Sequence, residues 1–98
     1  MSDFGDLMRE LDSEYKEYLD RWTNRFGESR DGVAAYTYRE QKVEVPVFRL
    51  SRGEFAIAFS AMRDNRQRYE QAEQNDDVNG MRKSLSDAFP YELMLLMR

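Results

Sequence analysis

Cysteine and histidine are both absent from this chain. With them go disulfides, thiolate nucleophiles, the usual zinc ligand sets, imidazole bases and a histidine switch near neutral pH. The five glycines are scattered singly, so they form no glycine-rich phosphate loop. No histidine stands ready to activate a serine, and Lys16, Lys42 and Lys83 lack the setting of a Ser–Lys dyad. The apolar run Leu93–Met97 is far too short to span a bilayer. Met1-Ser2-Asp3 opens without the basic and apolar regions of a secretory signal, so a cytoplasmic chain with no membrane contact is expected. No catalytic residue, cofactor or metal is assigned, and the chain is not expected to be an enzyme.

What is present argues for a folded chain. Of its 98 residues, 41% are hydrophobic and 13% aromatic, too apolar for disorder despite 35% charged residues. A single domain over 1–98 is expected, with any site shallow, because a chain this short buries only somewhat over ~60% of its unfolded surface. No repeat, low-complexity tract or interdomain linker is evident. The net charge of −4 belongs wholly to residues 1–31, and the remainder is balanced. An acidic chain is repelled by phosphate backbones and anionic lipid, so a basic protein surface is the better charged partner. Arginine outnumbers lysine twelve to three, which favours bidentate pairing with carboxylates.

The chain is organised around Phe4–Phe26. Phe4, Met8, Leu11, Tyr15, Tyr18 and Trp22 recur at spacings of four and three, one narrow stripe of an α-helix with the rhythm of a coiled-coil seam. Leu7, Leu19 and Phe26 widen the stripe. Ser2 or Asp3 is the expected N-cap and Gly27 the expected stop. The opposite face carries Asp6, Glu10, Asp12, Glu14, Glu17 and Asp20, with Asp12–Lys16 and Glu17–Arg21 at ion-pair spacing. Such a stripe serves either the chain's own core or a partner that desolvates its aromatics. The residues assigned to partner contact are Asp6, Glu10, Glu14, Tyr15, Glu17, Tyr18 and Trp22.

After a polar loop at Glu28–Gly32 the period changes to two. Tyr36 and Tyr38 alternate with Ala35 and Thr37, then Val43, Val45 and Val47 with Glu44 and Pro46, predicting two strands joined by a turn at Arg39–Lys42. The valine face should lean on helices, and Pro46 should lie where the second strand has an open edge. Ser51-Arg52-Gly53-Glu54 has the form of a capping box opening a second helix, with Phe55, Ala58, Phe59, Met62 and Tyr69 on one face and an end near Gln71–Asn75. A third helix follows, capped by Asp76 or Asp77 and carrying Met81, Leu85 and Ala88 or Phe89; Pro90 is expected to divide it from a last turn or two.

Two motifs are weighed against plainer roles. Asn75, Asp77, Asn79 and Gly80 match the start of an EF-hand loop, but Ser86 stands where its bidentate Glu is needed, and helix capping explains them better. Arg49, Arg52, Arg63, Arg66 and Arg68 gather around the second helix and would suit phosphates, yet Glu54, Asp64, Glu70 and Glu73 are interleaved and the chain as a whole is acidic, so pairing with the acidic first helix accounts for them better than nucleic acid does. The expectation is an α+β fold of order α-β-β-α-α, with two to three C-terminal helices. Its expected function is that of a non-catalytic protein-binding module, an adaptor, subunit or inhibitor, using the acidic first helix and the open strand edge. Homodimerisation is its simplest assembly. Alternatives are an acidic inhibitor mimicking nucleic acid, the strategy of phage and mobile-element antagonists of host defence, and a small DNA- or RNA-binding regulator using the arginines.

Overall fold

The structure, a computed structural model, describes residues 3–97, with side chains from Phe4 onward. The elements run α1 (Asp3–Phe26), β1 (Asp31–Tyr38), β2 (Gln41–Phe48), α2 (Arg52–Gln74) and α3 (Val78–Met94), the α-β-β-α-α order expected of an α+β chain. They form two compact units, one running through Ala56 and the other starting at Ile57, so that α2 lends its first turn to the former and the rest to the latter. No helix among the described residues is long and apolar enough to cross a membrane.

In the first unit, α1 stops at Gly27, whose φ of 65° is left-handed and whose N–H returns to the Thr23 carbonyl at 2.9 Å. Glycine takes this conformation without a Cβ penalty, and the bond satisfies a carbonyl the helix end would otherwise orphan. Of the two expected N-caps, Asp3 is the first helical residue and Ser2 lies outside the described residues.

The hairpin pairs Tyr38 with Gln41 and Asp31 with Phe48 in antiparallel register. Its turn is therefore two residues, Arg39-Glu40, rather than the four expected. Both have positive φ, 51° and 65°, the conformation that matches the right-handed twist of the flanking strands but that asparagine and glycine adopt at lower cost. Alternation then sorts the faces. Ala34 and Val47 are buried and Tyr36, Val43 and Val45 half-buried on one side, as the valine face requires, while Val33, Ala35, Thr37, Glu44, Pro46 and Phe48 lie exposed on the other. Because Tyr38 and Gln41 close the turn as a hydrogen-bonded pair, Val33 and Pro46 form a non-bonded one, and the proline nitrogen points away from β1. The edge expected at Pro46 is there.

The capping box is formed in full. Ser51 N–H donates to Glu54 Oε1 at 2.9 Å, and Glu54 N–H donates to Ser51 Oγ at 3.2 Å. Hydrogen bonds to the carboxylate, first from the Ser51 backbone amide and then from its hydroxyl, hold the Glu54 carboxyl below its ordinary pKa.

The second unit is a helical hairpin with an economical connection. α2 ends with Asp76 at φ 53°, Asp76 N–H on the Glu73 carbonyl at 3.2 Å and Asp77 N–H on the Ala72 carbonyl at 2.8 Å, a Schellman closure. Asp77 then caps α3, its Oδ1 accepting from Gly80 N–H at 3.0 Å. Where Pro90 was expected to split this helix, α3 continues through it. The proline costs a hydrogen bond and a clash worth about 3 kcal/mol. The carbonyl it leaves unpaired is that of exposed Ser86, where water serves, and beyond it Leu93, Leu95 and Leu96 are all buried. At about 1.5–3 kcal/mol per buried leucine, continuing the helix outweighs the break. α3 closes with a second Schellman pair, Leu96 N–H on Leu93 and Met97 N–H on Glu92, at 3.1 and 2.9 Å.

Candidate functional site

The stripe on α1 changes character along its length. Phe4 is 75% exposed and Leu7 50%; Met8, Leu11 and Tyr15 are half-buried; Tyr18 and Trp22 are 0% exposed. The C-terminal half of the stripe is core, and the N-terminal half is surface.

Tyr18 and Trp22, both assigned to partner contact from their sequence spacing, thus lie inside and present no surface. The Trp22 indole N–H donates to the Ser29 carbonyl at 2.7 Å, and its ring meets Phe26 at 4.5 Å and Tyr18 at 6.3 Å between centroids. The Tyr18 hydroxyl accepts the Leu50 N–H at 2.8 Å, while the Tyr15 hydroxyl donates to the Leu50 carbonyl at 3.0 Å. Two tyrosines one helical turn apart therefore clamp both polar groups of the residue that joins β2 to α2. Phe55, in the first turn of α2, packs against both rings at 5.2 and 5.3 Å. Desolvation raises the Tyr18 phenol above its ordinary pKa, and the Leu50 amide opposes this only partly.

The acidic residues assigned to contact do reach the surface. Asp6, Glu10 and Glu17 are exposed and Glu14 half-buried. Their spacing of four, four and three keeps them within about 80° of the helix circumference over about 17 Å of its length. Leu7 borders this row and Phe4 lies just beyond it, so an apolar patch is flanked by carboxylates. Asp6 meets Arg9 at 3.2 Å in a largely exposed pair, which does little to neutralise the row. Asp12, expected beside Lys16, instead accepts from Arg52 Nε at 2.7 Å.

That contact ties one member of the arginine group to α1. Two others, Arg66 and Arg68, are two residues apart on α2 and so point about 160° from one another, while Arg63 and Arg66, three apart, share a face. In the second unit, α2 and α3 border shallow depressions of about 450, 450 and 390 Å³. Asn65 lines two of them. Its Nδ2 donates to the Ala61 carbonyl at 3.1 Å, and its buried Oδ1 has no hydrogen-bond partner among the described residues. Among the described residues no three acidic side chains converge as a metal site, and the Asp77 carboxylate of the EF-hand-like segment is engaged in capping.

Sequence reasoning missed the outward face of the hairpin, where Val33 is 52% and Phe48 53% exposed. The signal was available: once Val43, Val45 and Val47 define the inner face, a period of two places Pro46 and Phe48 on the outer one. Comparison with protein-family models, curated proteins and solved structures finds no match for the chain.

Proposed function

We propose that the chain is a non-catalytic protein-binding module, an adaptor, subunit or inhibitor within a larger complex, that meets a basic partner through the exposed flank of α1. The observation that carries this reading is the gradient along the helix: its C-terminal aromatics anchor it in the first unit, and its N-terminal half holds Phe4 and Leu7 in water beside Asp6, Glu10, Glu14 and Glu17. An apolar centre with a charged rim is the composition of a protein interface. The carboxylate row steers a basic surface toward it and makes association fall with ionic strength.

The test is affinity capture from the native cell with the parent and two variants. One reverses the row (Asp6→Lys, Glu10→Lys, Glu17→Lys), and the other removes the apolar patch (Phe4→Ser, Leu7→Ser). A protein held by the parent should be lost by both, with far-ultraviolet circular dichroism unchanged. Equal capture by all three would refute the reading. Release of the captured protein by duplex DNA would favour the nucleic-acid-mimicking form of the same module, for which the acids' step of about 6 Å along the axis is suited.

A further inference from the structure

The two edges of the hairpin are not equivalent. On β2 the outward-pointing positions are Lys42, Glu44, Pro46 and Phe48, and this edge lacks a donor at Pro46 and carries an ion pair between Lys42 and Glu44 at 3.4 Å. Proline and charge are the usual means of blocking an edge from pairing with another strand. On β1 the outward positions are Asp31, Val33, Ala35 and Thr37. Asp31 is already closed, its N–H donating to Ser29 Oγ at 3.2 Å and its carbonyl accepting from the same hydroxyl at 2.9 Å. Val33, Ala35 and Thr37 are exposed, and among the described residues the sheet has no strand on their side.

We infer that β1 pairs with β1 of a second copy, antiparallel about a two-fold axis at Ala35, to make a four-stranded sheet. In this register Val33 faces Thr37 of the other copy and Ala35 faces Ala35, each pair exchanging both backbone hydrogen bonds. All three open positions are used, and the closed Asp31 is not needed. The flanking charges select the same register. Asp31 falls opposite Arg39, the residue that follows β1 in the second copy, and does so twice by symmetry. Shifting the axis to Ala34 would draw on the closed Asp31 and set it opposite Thr37, losing its pairing with Arg39. The small alanine at the axis lets the backbones approach. A second copy is therefore the occupant whose charges complement this edge. The pairing uses no residue of the α1 flank and stands or falls separately from the partner reading.

Sedimentation velocity on the full chain tests it. The parent should dimerise. Ala35→Glu, at an exposed position, should stay folded by circular dichroism and weaken the dimer at least about tenfold by placing two carboxylates together on the axis. Asp31→Arg and Arg39→Asp should each weaken self-association, because each sets like charges opposite one another, and mixing these two variants should restore a dimer, since every pair is then opposite in sign. A parent that is monomeric at about 1 mM, a folded Ala35→Glu variant that dimerises like the parent, or a mixture no tighter than either single variant would overturn the inference.

Discussion

Replacing Tyr18 by phenylalanine tests the clamp on Leu50 with one oxygen atom. Tyr18 is fully buried and Leu50 only 4% exposed, so the Leu50 N–H that loses its acceptor has no route to water. The cost is the lost bond together with the stranded donor, about 1–3 kcal/mol. Tyr15→Phe is the internal control. It frees a carbonyl rather than an amide, and the hydroxyl it removes is only partly buried, which lets water serve and holds the cost to about 0.5–1.5 kcal/mol. At about 4–8 °C per kcal/mol for a chain of this size, the first substitution should lower Tm clearly more than the second. Trp22, the single tryptophan, lies in the same cluster, so its emission during urea unfolding gives both values. The pH dependence adds a sign. Burial raises the folded-state pKa of Tyr18, so above the ordinary phenol value of about 10 the unfolded chain releases a proton that the folded chain retains, and stability falls. The phenylalanine variant lacks that contribution, and the parent's advantage should narrow as pH rises above 10. Equal midpoints for parent and Tyr18→Phe, or a larger loss for Tyr15→Phe, would refute the clamp.

Trp22→Ala should destabilise by about 3–5 kcal/mol as a core deletion; a variant that melts with the parent would contradict its burial. Ser51→Ala should cost about 0.5–2 kcal/mol near neutral pH. Because the capped Glu54 has a lowered pKa, its contribution is present above the ordinary carboxylate range and lost in acid, so parent and variant melts should converge as pH falls. Glu40→Gly relieves a left-handed glutamate and keeps Arg39 over the Tyr38 ring at 5.2 Å, so calorimetry should show a gain of about 0.5–1 kcal/mol. Gly32→Ala would bring a methyl group to 2.7 Å from the Phe26 ring, and a loss of about 1–3 kcal/mol in a denaturant melt is expected.

Local signals were legible wherever one residue's chemistry fixes the backbone. Gly27, the Ser51–Glu54 box, the Asp77 cap and the period-two valines are of this kind, and each does what its type dictates. The misreadings occurred where distant packing prevailed. Arg39-Glu40 carries no sequence mark of its turn, because strand pairing on either side compels the conformation. Pro90 marks an end that does not occur, since the leucines beyond it are better buried by a continued helix. The aromatic stripe was correctly placed on one face, but periodicity reports direction around a helix and not depth along it. Which half of α1 is core depends on the reach of the hairpin and the Leu50 junction, contacts spanning more than thirty residues.

The connection from Asn75 to Asp77 has a consequence for how the second unit opens. Asp77 holds the end of α2 by its amide and the start of α3 by its carboxylate, so neither helix can fray at this end without loosening the other. An added residue there would divide those two tasks between different positions. The segment is polar and exposed, which would ordinarily invite a protease or tolerate an insertion, but its backbone is committed on both sides. In amide exchange, Asp77 and Gly80 should therefore open together, as one cooperative event rather than two.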